Sequence, residues 1–68
     1  MAEKEKVEKL TNKEGLIAYL KDLISQVEQG YVMVGQRRIE LPESFELEIK
    51  YKEKDSKKEI EWEIEWKI

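Results

Sequence analysis

The chain contains neither cysteine nor histidine, and only one proline and three glycines among its 68 residues. Without cysteine there is no disulfide to staple a small fold, no thiol nucleophile and no thiolate for zinc. Without histidine there is no imidazole base and no ready metal ligand, so Ser25, Ser44 and Ser56 lack the partner that activates a serine. No apolar run approaches the roughly 20 residues that span a bilayer, the uncharged stretch Gly15–Leu20 being far shorter. The start, Met1-Ala2-Glu3-Lys4, is charged and leads into no apolar segment, so no secretory signal is expected and the expected location is cytoplasmic.

What the chain has in quantity is charge, 43% of its residues, with a net charge of only −3. Phosphate binding draws on clustered Lys and Arg, so this mixed and slightly acidic balance argues against nucleic acid or anionic membrane as a partner. A chain of this length leaves about 60% of its unfolded surface to be buried, near the lower limit for an independent core. One domain, 1–68, is expected, with stability from packing and from self-association in place of staples.

Residues 1–6 alternate in charge and are expected to fray. Val7 and Leu10 flank Glu8 and Lys9, which reads either as a short extra edge strand over 5–10 or as the lead into a helix. Thr11-Asn12-Lys13-Glu14 has the form of a capping box, with Thr11 as the cap and Glu14 reaching back to it. Leu16, Leu20, Leu23 and Val27, widened by Ile17 and Ile24, then recur at helical spacing, and Gly30 stands where a left-handed cap belongs. These signals predict a helix over 12–29.

The period then changes to two. Strands are expected over 31–34 and 37–41, joined by a Gly35-Gln36 turn and ended by Pro42. Phe45, Leu47, Ile49 and Tyr51 alternate with charges, as do Ile60, Trp62, Ile64, Trp66 and Ile68, predicting strands over 45–54 and 59–68. The expected fold is α+β, one amphipathic helix on a four-stranded antiparallel meander whose other face is wet. Two registers are open to the last hairpin. Pairing Tyr51 with Ile60 sets Glu46 against Glu65 and Glu48 against Glu63. Pairing Tyr51 with Trp62 leaves only Glu48 and Glu65 in conflict and avoids a two-residue Asp55-Ser56 turn, so the second register is expected.

Three segments together carry a family resemblance: Leu16-Ile17-Ala18-Tyr19-Leu20 in the helix, Leu41-Pro42-Glu43, and the terminal Glu59-Ile60-Glu61-Trp62-Glu63-Ile64-Glu65-Trp66. From about Val7 onward the chain resembles the amphi-Trp domain, a small prokaryotic family named for such an amphipathic, tryptophan-bearing end. The resemblance implies a stand-alone domain and carries no catalytic or binding residue onto this sequence.

Candidate chemistry is sparse. Catalytic carboxylates need a water-poor cleft to tune them, whereas these glutamates line an open strand face, so no enzyme and no cofactor is expected. A cation wants six to eight oxygens around a point, but same-face strand residues stand about 7 Å apart, which suits a diffuse acidic surface. Arg37 and Arg38 either clamp an anion or neutralise nearby glutamates. Tyr31 and Met33 face away from Val32 and Val34, so one pair lies off the core. Trp62 and Trp66 share a strand face about 13 Å apart. A helix about 10–12 Å across cannot cover a four-stranded face of about 19 Å. The uncovered part must be shielded by the segment around Val7 and Leu10, by a second copy or by a different partner. With Trp62, Trp66, Ile68, Tyr31, Met33, Arg37 and Arg38 as candidate surface, it points to a non-enzymatic interaction module, a homodimer or one that binds an unidentified protein partner. A carrier of a small molecule or ion on the same face is the alternative.

Overall fold

Asn12, not Thr11, caps the helix in the computed structural model, which describes residues 3–68. Its side-chain Oδ1 accepts the Gly15 N–H at 2.9 Å. The cap therefore lies one residue later than the capping-box reading placed it, and the position three residues on is Gly15, which has no side chain to reach back, so no capping box forms. Helix α1 runs Lys13–Glu28. At its far end the Gln29 N–H donates to the Gln26 carbonyl and the Gly30 N–H to that of Val27, with Gly30 at φ +92°, the left-handed turn expected there.

Strand β1 (Tyr31–Val34) pairs antiparallel with β2 (Arg37–Glu40), Tyr31 lying opposite Glu40 and Val34 opposite Arg37. Gly35, at φ +62°, opens the two-residue turn between them, a conformation that glycine adopts without a Cβ penalty. One further hydrogen bond, Leu41 N–H to the Gly30 carbonyl, extends this hairpin past β2. Helix α1 packs on β1 alone. The edge of β1 is finished by a side chain: the Met33 N–H donates to Gln26 Oε1 at 3.0 Å.

Strand β3 (Glu46–Lys54) pairs antiparallel with β4 (Lys57–Glu65). The chain is thus α+β, one helix and two antiparallel hairpins, each ladder ending at two strands. The hydrogen-bonded pairings do not join β2 to β3 as a meander would. Met1 and Ala2, part of the segment expected to fray, lie outside the described residues. Residues 3–12 form no strand, so the extra N-terminal strand is absent. Glu3 instead pairs with Arg37, and a Cβ added to Gly35 would lie 2.9 Å from the Glu5 carboxylate, so this segment crosses the β1–β2 turn as irregular chain.

The register of the last hairpin reverses the expectation. Tyr51 lies opposite Ile60 and Ile49 opposite Trp62, which sets Glu46 against Glu65 and Glu48 against Glu63. The turn decides this. Asp55 takes φ +54° and closes the two-residue Asp55-Ser56 connection despite the lack of glycine. Two exposed repulsions of about 0.2–1 kcal/mol each do not outweigh that closure. An early turn also shifts β4: it begins at Lys57, not 59, and ends at Glu65, leaving Trp66, Lys67 and Ile68 beyond the strand.

No described residue is buried, and the accessible surface is 6926 Å². A compact folded monomer of 8.2 kDa exposes about 4,500 Å², so roughly 2,400 Å² is in excess. The radius of gyration says the same: 13.9 Å, against about 11 Å for a compact domain of this length.

Because Asp55 holds a conformation that costs an L-residue roughly 1 kcal/mol and glycine almost nothing, Asp55→Gly is expected to stabilise the β3–β4 hairpin by about that amount. Thermal melts followed by circular dichroism check it, and an unchanged or lower midpoint would contradict the turn assignment.

Candidate functional site

Alternation along β3 and β4 sorts this hairpin into two chemically opposite faces. On one face the pairs Leu47/Ile64, Ile49/Trp62 and Tyr51/Ile60 stack along the ladder. At its open end Phe45 meets Trp66, the ring centroids 6.4 Å apart and tilted at 54°. Among the described residues, no helix or other strand covers this face. Neither β3 nor β4 packs against α1, β1 or β2, and Trp62 and Ile49 remain 58% and 64% exposed. Helix α1 has an unmet stripe of its own, with Leu16, Ile17, Ile24 and Val27 all exposed.

The opposite face is charged, and its charges are segregated. Glu46, Glu48, Glu63 and Glu65 form an acidic block at the open end. Lys50, Lys52, Lys54 and Lys57 gather toward the turn, with Glu59 and Glu61 across from Lys52 and Lys50. Titration follows this division. A hydrogen bond shared with Glu48, reinforced by the charges of Glu48 and Glu65, holds the Glu63 carboxyl above the ordinary carboxylate range. The hydrogen bond from Lys57, 3.3 Å away, and the charge of Lys52 hold Glu59 below it. On the apolar face, Tyr51 donates its hydroxyl to Glu53 at 2.7 Å, which raises its pKa.

The residues singled out from sequence do not converge. Trp62 lies at the centre of the β3–β4 apolar face. Trp66 sits past the end of β4, half-buried against Phe45, and so is not on the same strand as Trp62. Ile68 is fully exposed beyond it. Tyr31, Met33, Arg37 and Arg38 belong to the other hairpin. All four residues of β1 are half-buried, so neither the Tyr31–Met33 pair nor its neighbours form an open patch. The Arg38 guanidinium lies 3.9 Å over the Tyr31 ring and also pairs with Glu40 at 3.2 Å. Arg37 pairs with Glu3. Adjacent strand residues point to opposite faces, so Arg37 and Arg38 cannot close on one anion.

The apolar surface that matters was legible as alternation, but Leu47, Ile49, Tyr51, Ile60 and Ile64 were missed as part of the site, since alternation alone reads as buried core. Among the described residues, no cluster of three or more acidic side chains is placed to hold a metal ion, and no helix is long and apolar enough to cross a membrane. Comparison with protein-family models, with curated proteins and with solved structures found no match to this chain.

The Glu48–Glu63 contact yields a pH dependence with a definite sign. A carboxyl whose folded-state pKa is raised binds its proton more tightly in the folded chain, so its contribution is present in acid and lost as pH rises through that pKa. Glu48→Gln is therefore expected to raise the thermal midpoint at neutral pH, with the difference from the parent chain shrinking as acid protonates Glu63. Melts across the acid range check this. A difference that does not vary with pH would show that the two carboxyls do not interact.

Proposed function

We propose that the chain is a non-enzymatic self-association module, and that the apolar β3–β4 face bearing Trp62 is the surface through which it associates. The observation that carries this reading is the uncovered area. An isolated two-stranded hairpin is at best marginally stable in water, and needs further strands or a helix on its apolar side. Among the described residues, this hairpin has neither. The excess surface of roughly 2,400 Å² per chain is of the size that obligate homodimers bury.

A second copy is the occupant favoured by symmetry of need. Each chain carries an unmet apolar sheet face and an unmet apolar helix stripe, and two copies can each satisfy the other. The four-stranded sheet that the strand pattern implies would then be completed between chains and not within one. The amphi-Trp resemblance fits this reading through its residues alone, because the tryptophan-bearing terminal strand that names the family forms part of the associating surface.

Solution molar mass, by sedimentation or light scattering over a range of micromolar concentrations, tests the proposal. The expected mass is at least twice that of one chain, and Trp62→Ala is expected to weaken association roughly 30-fold, the effect of an interface anchor worth about 2 kcal/mol. A single-chain mass at every concentration would overturn it. Ligand binding that depends on Trp62 with that mass unchanged would favour the carrier reading instead.

A further inference from the structure

The free edge of β3 has a charge order that suits pairing with itself. A two-residue turn is closed by a hydrogen-bonded pair, here Lys54 and Lys57, so even-numbered residues of β3 bond to β4 and odd-numbered ones present their N–H and C=O groups outward. Antiparallel pairing of this edge with its own copy can therefore be centred on Glu48, on Ile49 or on Lys50. Centring on Glu48 sets Glu48 against itself, and centring on Lys50 sets Lys50 against itself. Centring on Ile49 leaves no like-charge pair. Glu46 then meets Lys52 of the second copy and Glu48 meets its Lys50, each twice by symmetry. On the apolar face Leu47 meets Tyr51 of the second copy, and the two Ile49 side chains meet on the axis.

No other long edge has this property. The corresponding face of β4 reads Lys57, Glu59, Glu61, Glu63 and Glu65, so self-pairing about its middle opposes glutamate to glutamate. The edge of β1 is already partly satisfied by Gln26, and β2 has only four residues. Within the hairpin, the segregated charges of β3 are a liability, since Glu48 faces Glu63 and Glu46 faces Glu65. Across a two-fold axis the same segregation becomes complementary, because the acidic end of one strand meets the basic end of the other.

Resting on the self-association reading, we propose that a second copy of this chain adds antiparallel to the free edge of β3 with Ile49 opposite Ile49. The product is a four-stranded sheet in the order β4–β3–β3–β4. Its continuous apolar face is about 19 Å wide. Two helices of about 10 Å, one from each chain, match that width where a single helix does not.

The chain has no cysteine, so one substitution reports on one contact. Across a hydrogen-bonded antiparallel pair the Cα atoms stand about 5.5 Å apart, within the range a disulfide spans. Mild oxidation of Ile49→Cys is therefore expected to give a covalent dimer of the full chain. Leu47→Cys and Tyr51→Cys each fall four residues, about 14 Å, from their own copies and are expected not to cross-link.

Glu48→Lys supplies a readout that a merely structural role would not produce. It relieves the Glu48–Glu63 repulsion inside the hairpin yet opposes Lys50 of the second copy. Association is expected to weaken roughly tenfold while the β signal in circular dichroism is kept, and adding Lys50→Glu is expected to restore it. A dimeric mass with cross-linking at Leu47→Cys or Tyr51→Cys as readily as at Ile49→Cys would overturn the register and leave self-association standing. Tighter association of Glu48→Lys would also overturn the register. A single-chain mass for the parent protein would overturn both.

Discussion

A β-hairpin with one apolar face is not a self-sufficient object in water, and the rest of this structure is arranged around that constraint. The β3–β4 ladder satisfies its own inner hydrogen bonds and stacks three apolar pairs from Leu47/Ile64 to Tyr51/Ile60, but among the described residues neither the helix nor another strand shields the stack from solvent. The hydrophobic contribution that would stabilise a small domain is therefore largely unrealised within one chain, since no described residue is buried. Cysteine and histidine are absent, so neither a disulfide nor a zinc site can substitute for it. The proposed association with a second copy would bury apolar surface that the described chain leaves exposed.

The polar side of the same hairpin has a different logic. Opposite charges scattered along a strand would give the best pairs inside a hairpin. Here glutamates collect at the open end and lysines near the turn, which produces the raised Glu63 and the lowered Glu59. The repulsions are tolerable because they are exposed and screened, and because a closed two-residue turn constrains the register more firmly than surface charge does. The first hairpin shows how an edge is finished within one chain: Gln26 takes the Met33 N–H, Arg38 covers Tyr31, and Arg37 is neutralised by Glu3. The edge of β3 has no such cover from any strand or from the helix.

Local signals in the sequence were readable where short-range physics is sufficient. Leu16, Leu20, Leu23 and Val27 at helical spacing, together with Gly30 after them, located α1 to within a residue at each end, because periodicity and capping are local properties. Alternation located all four strands. Competition between similar local solutions was less readable. Thr11 and Asn12 are both competent caps, and the geometry selected Asn12. Asp55-Ser56 lacks the glycine that tight turns favour, yet Asp55 adopts the left-handed conformation, and from that one torsion follow the register, the early end of β4 and the loss of Trp66 from the strand.

The sequence by itself determined the element types, their order and the segregation of apolar from charged faces, since each is encoded in spacing along a few consecutive residues. It also determined which chemistries are closed to the chain, through the residue types it lacks. Only the tertiary structure decided which apolar faces meet. Helix α1 lies on β1 and leaves the Trp62 face bare, an outcome that depends on how the chain passes from Leu41 to Phe45 and on the closure of two turns. Alternation identifies a face that avoids water, but it holds no information about whether the cover comes from the same chain or from another, because both remove the same apolar area from solvent.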